Sequence, residues 1–99
     1  MIAKIGDVVI AESNECIEIE GNQYFPPGSV KREYLQESDH TTTCPWKGVA
    51  SYYNIVVGDE TFENAAWYYS DPMQGAPEKV GKDFSNFVAF YTDKVEIVV

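Results

Sequence analysis

At 99 residues and 11.1 kDa the chain has room for one domain, residues 1–99, and folding should hide roughly 65% of the extended chain's surface. Hydrophobic residues make up 44% and aromatics 14%, which is the composition of a folded chain and excludes a disordered one. A formal charge of −9, with a pI near 4.3, repels phosphate backbones and anionic bilayers, so neither nucleic acid nor membrane is expected as a partner.

Along the chain, short apolar runs alternate with turn signals. Lys4–Ile5 and Val8–Ala11 flank Gly6-Asp7, a tight turn. Cys16-Ile17-Glu18-Ile19-Glu20 alternates with period two, placing Ile17 and Ile19 on one face and Cys16, Glu18 and Glu20 on the other. Gly21-Asn22 reads as a hairpin turn into Gln23-Tyr24-Phe25, and Pro26-Pro27 ends that strand because proline cannot donate to a ladder. Ser29 can cap a short helix running to about Leu35, with Val30, Tyr34 and Leu35 inward. The polar segment Gln36 to Thr43 reads as loop.

A long strand is expected from Val49 to Val57, turned back at Gly58-Asp59 into Thr61-Phe62-Glu63. Ala65 to Tyr69 suits either a continuing strand or one helical turn, and Pro77 to Val80 suits a helical turn. Phe87–Tyr91 and Val95–Val99 read as a third hairpin around Thr92-Asp93-Lys94. The expected fold is therefore mainly β: a small antiparallel β barrel or folded sheet with one short helix. No run approaches the roughly 18 apolar residues that span a bilayer. The start Met-Ile-Ala-Lys-Ile-Gly-Asp lacks the pattern of a secretory signal, and two thiols do not make a disulfide framework. Cytoplasmic residence with both cysteines reduced is expected.

Residues 41–48, Thr-Thr-Thr-Cys-Pro-Trp-Lys-Gly, concentrate chemistry: a thiol, a rigid proline, an indole and an amine. A zinc site asks for about four thiol or imidazole ligands in close pairs. Cys16 and Cys44 stand 28 positions apart with His40 the sole histidine, so no metal and no cofactor is expected. Cys44-Pro45-Trp46-Lys47 is half of a dithiol motif with lysine in place of the second sulfur, which removes the exchange partner. Cys44 alone remains a candidate nucleophile, with Lys47 assisting electrostatically or His40 as a base; the alternative is a buried, inert thiol. Trp46 can stack on a planar ligand and Lys47 can meet an anion, while Tyr52-Tyr53 and Trp67-Tyr68-Tyr69 offer further aromatic walls or simply core. The sixteen acids make chance pairs such as Glu18 and Glu20 common, and a solvated face is their expected role. Gly28-Ser29 followed by Asp39 faintly echoes polymerase-like nucleotidyltransferases, but position 41 is Thr where a second metal-holding carboxylate is needed.

Four blocks resemble one family. Glu20-Gly21-Asn22-Gln23-Tyr24-Phe25-Pro26-Pro27, Thr43 to Tyr53, Ala65-Ala66-Trp67-Tyr68-Tyr69-Ser70-Asp71-Pro72 and Val88-Ala89-Phe90-Tyr91 look like the domain of unknown function DUF427, in order and spacing from about residue 8 onward. The resemblance implies a compact, mostly β domain, Mss4-like in shape but without zinc. A nucleotidyltransferase label sometimes attached to the family finds no support in the failed Asp-x-Asp pattern.

Three functions follow. The first is a small-molecule pocket walled by Tyr24, Cys44, Trp46, Lys47, Tyr52 and Trp67. The second is an enzyme with Cys44 and Lys47 as catalytic residues, and the third a non-catalytic interaction or scaffold module. No residue pattern specifies an oligomeric state.

Overall fold

Turn chemistry lays out the first half of the chain. A computed structural model describes residues 1–99 as nine strands, one five-residue helix and two 3₁₀ turns. Strands β1 (Ile2–Ile5) and β2 (Val8–Glu12) pair across Gly6-Asp7, with Gly6 at a φ of 57°. Strands β3 (Ile17–Ile19) and β4 (Asn22–Tyr24) form the second hairpin. Its turn is Glu20-Gly21, one residue before the Gly21-Asn22 expected from sequence. Both residues have positive φ, 55° and 83°, which is the type I′ geometry that matches strand twist.

Strands β5 (Leu35–Cys44), β6 (Gly48–Val57), β7 (Glu60–Tyr68) and β8 (Val88–Phe90) make an antiparallel four-stranded sheet in chain order. Strand β9 (Glu96–Val98) returns to pair with β1, completing a three-stranded sheet β2-β1-β9. The architecture is a folded set of antiparallel sheets, not a closed barrel. Helix α1 (Ala76–Val80) lies where a helical turn is expected, and Ala65 to Tyr68 continue as strand.

Three local expectations are corrected. Gln36 to Thr43 is strand, not loop: β5 is an edge, exposed along most of its length, so its side chains carry no apolar period. The Ser29–Leu35 helix is instead two 3₁₀ turns, Pro27–Ser29 and Arg32–Tyr34, separated because Val30 bridges to Ala11 as extended chain. Phe87–Tyr91 and Val95–Val99 do not form a hairpin. The amides of Lys94 and Val95 donate to the Tyr91 carbonyl at 3.1 and 2.9 Å, and this turn sends β9 to a different sheet from β8.

The four-stranded sheet carries apolar side chains on both faces. Tyr53, Ile55, Ala66, Val88 and Phe90 face the first sheet, meeting Ala3, Ile10, Ala11 and Val95. Ala50, Tyr52, Trp67 and Ala89 face the other way, toward the β3–β4 hairpin and the segment carrying α1, with Tyr24, Tyr69 and Phe84 between. Period-two alternation does this directly: Tyr52, Trp67 and Ala89 are cross-strand neighbours, as are Tyr53, Ala66 and Phe90 in the next row.

Candidate functional site

The Cys-Pro-Trp-Lys-Gly block closes the β5–β6 hairpin, with Cys44 paired to Gly48 and Pro45-Trp46-Lys47 forming the loop. Gly48 has a φ of 111°, and a Cβ there would lie 3.2 Å from the Met73 backbone nitrogen. Glycine suits both the positive φ and this approach, since a Cβ would make the chain at Met73 give way by a few tenths of an ångström. The approach is used: the Met73 N–H donates to the Lys47 carbonyl at 2.8 Å, and the Ala76 N–H to the Met73 carbonyl at 2.9 Å. This latch holds the loop before α1 against the hairpin and leaves a shallow cleft of about 270 Å³ between them. Pro45, Trp46, Met73, Gly75 and Lys79 line it.

Lys47 turns inward from this loop and is 6% exposed. Its ammonium donates to the Glu20 carboxylate at the β3–β4 tip and lies 5.3 Å from the Trp46 ring centre and 5.4 Å from that of Tyr69. Burial alone pushes a lysine pKa down. Here the Glu20 hydrogen bond and the neighbouring Tyr24 and Tyr69 oxygens outweigh it, and the net direction is up. The same bond holds the Glu20 carboxyl below its ordinary value, with smaller help from Trp46 and Lys79. A protonated, paired amine has no free lone pair, so Lys47 acts as a fixed cation.

Beneath it the aromatic residues interlock. The Trp67 indole N–H donates to the Tyr24 hydroxyl at 3.0 Å, their rings perpendicular at 6.1 Å. Phe84 meets Tyr24 and Tyr69 edge-on at 6.3 and 5.9 Å. The Tyr52 hydroxyl shares a 2.9 Å hydrogen bond with the Thr42 hydroxyl and lies 3.5 Å from that of Tyr91, whose ring sits 4.6 Å from Trp67. Burial drives the Tyr69 phenol up to about 12.

The six residues expected to wall a pocket therefore gather around one cluster, but Tyr24, Tyr52 and Trp67 fill it. Of the six, Trp46 alone lines the cleft. Cys44 is half-buried against the same cluster, and its thiol makes no hydrogen bond. His40 stands four residues away on β5, about 13 Å at the usual strand rise, with its ring 4.6 Å from Tyr52. Cys16 is half-buried in the β3 region, where burial raises its thiol pKa.

The profile of the domain of unknown function DUF427 matches residues 1–99. The chain belongs to the DUF427 family. A search of the curated proteins found no match. The sequence reading of this DUF427 domain passes over Met73 and Lys79, and takes Glu20 as part of a solvated face where the structure pairs it with Lys47. Glu20 leaves no trace, since the sequence puts the turn at Gly21-Asn22 and only the structure shows Glu20 at a positive φ usually held by Asn, Asp or Gly. Lys79 and Met73 leave none, because their place depends on the latch.

That latch is testable. Gly48→Ala should cost about 1–3 kcal/mol through its left-handed φ, with more from the clash at the Met73 amide. Urea denaturation reads the loss, and hydrogen exchange at Met73 reads the broken bond. Unchanged stability with an equally protected Met73 amide would contradict the close approach.

Proposed function

We propose that this DUF427 domain binds a small, flat organic anion in the cleft beside Trp46. One observation carries the reading: the Lys79 ammonium stands 4.8 Å from the Trp46 ring centre at the cleft and makes no salt bridge, the Glu20 carboxylate lying within electrostatic reach but bonded to Lys47. An indole supplies a stacking face and the neighbouring cation a seat for negative charge. On a chain of net charge −9, a lysine pair flanking one tryptophan is a local exception to an otherwise anion-repelling surface.

Size narrows the class. A cleft of about 270 Å³ falls at or below the roughly 300 Å³ where drug-sized sites begin. A single aromatic ring with one carboxylate or phosphate fits it better than a dinucleotide. Met73, 43% exposed at the rim, adds a polarizable apolar contact that adapts to ring shape.

Benzoate, nicotinate and a nucleoside monophosphate are suitable probes, titrated while the Trp46 indole N–H resonance is followed. At least one should shift that resonance. Calorimetry should then show its affinity falling at least tenfold in Trp46→Ala and several-fold in Lys79→Gln, with folding intact. A bound aromatic acid whose affinity ignores both substitutions removes the site.

A further inference from the structure

The pair between Glu20 and Lys47 is lopsided. Lys47 is almost wholly buried between two aromatic faces, whereas the Glu20 side chain is 54% exposed at the end of a two-stranded hairpin. A buried ammonium needs an anionic partner. Yet the groups around the Glu20 carboxylate are the Lys47 and Lys79 ammoniums and the Trp46 indole, each of which would attract any other anion.

The backbone points the same way. Glu20 takes a φ of 55°, where a type I′ turn is best served by Asn, Asp or Gly. A long carboxylate is thus kept at a position that local conformation disfavours. Two-stranded sheets are marginal by themselves. Backbone hydrogen bonds tie the β3–β4 pair to the rest of the fold at its base, where Phe25 and Val88 exchange bonds of 2.8 Å; the tip is held by side chains, the buried Ile19 and the Glu20 bond to Lys47.

We propose that the Lys47 ammonium is the floor of an anion seat, occupied in the free protein by the Glu20 carboxylate as a displaceable plug, and that the carboxylate of a small organic acid replaces it. This deepens, and rests on, the assignment of the Trp46 cleft as the ligand site, since Trp46 is the wall common to cleft and seat. The exchange conserves charge: one carboxylate leaves Lys47 as another arrives, so the buried cation is never left alone. Glu20 needs only to rotate its side chain, already 54% exposed, into water while the incoming carboxylate takes over the bond to the buried ammonium. With the plug in place, apparent affinity is lowered by the fraction of molecules whose seat is open.

Acetate is the probe, because it carries the carboxylate and no flat face. Glu20→Gly removes the plug and suits the turn. Titrations at ionic strength matched with chloride, followed on the Trp46 indole N–H resonance that every variant retains, should show Glu20→Gly binding acetate at least tenfold more tightly than the parent chain. Glu20→Gly/Lys47→Met should lose that gain. Equal affinity in parent and Glu20→Gly, or a gain that survives Lys47→Met, overturns the proposal. If Glu20→Gly does not fold, the parent chain decides: acetate should move the Glu20 carboxyl carbon and the Lys47 nitrogen together, and indifference of both overturns it. Aromatic acids that ignore Trp46 would sink the cleft, whereas acetate results bear on the plug alone.

Discussion

Trp67→Ala is expected to unfold about 3–5 kcal/mol more easily than the parent chain, a large share of the 5–15 kcal/mol available to a typical domain. The indole is 8% exposed and has no room to be replaced by relaxation. Its strand neighbours are Tyr52 and the small Ala89, and the rings of Tyr24 and Tyr91 close over it at 6.1 and 4.6 Å. Polarity adds a separable part. Tyr24→Phe strands a buried indole N–H, which costs about 1–3 kcal/mol, whereas Tyr24→Phe/Trp67→Phe removes donor and acceptor together. Urea denaturation of the single and double variants should give a double-variant cost well below the sum. Additivity within about 0.5 kcal/mol would show that the 3.0 Å hydrogen bond contributes nothing.

Where burial follows a local period, the sequence is readable. Ile17 and Ile19 alternate with acids and are buried, and Val49 to Val57 forms the central β6 as its apolar content demands. The reading fails where the reason for a strand is non-local. Strand β5 has two solvated sides and an irregularity between Glu37 and Thr41, with the Ser38 hydroxyl donating to the Asn64 side-chain oxygen of a matching irregularity on β7. Nothing within residues 36–43 announces that partner. Likewise Phe87–Tyr91 and Val95–Val99 have hairpin spacing, and only the distant claims of β7 and β1 separate them. At the site, the thiol, indole and amine of residues 44–47 stand out by chemistry alone. Their consequences do not: Lys47 meets Glu20 across 27 positions only after two hairpins dock, and the expected pocket is filled by the aromatics that were to wall it.

Alkaline pH should destabilise the domain steeply between about pH 10 and 12, through the same cluster. An unfolded tyrosine loses its proton near 10, whereas burial keeps the Tyr69 phenol protonated to about 12 and raises Tyr24 and Tyr68 in the same direction. Across that window the folded state binds more protons than the unfolded state, so stability is full below pH 10 and falls as pH rises. For Tyr69, 4% exposed, the displacement corresponds to about 3 kcal/mol. Tyr91, raised first by its Tyr52 hydrogen bond, is 39% exposed and adds little after solvent screening. Lys47 acts with the same sign, since its folded pKa is raised and the stability this contributes is full below the unfolded value and falls as pH climbs past it. Urea midpoints at pH 8, 10 and 11.5 should therefore drop progressively, and Tyr69→Phe should flatten the fall. A parent midpoint that holds steady, or a Tyr69→Phe profile that falls as steeply, would remove burial of the phenols as the cause. At neutral pH this titration order leaves every phenol around Lys47 uncharged, so the ammonium faces one formal anion, Glu20, and any carboxylate that takes its place competes with that side chain alone.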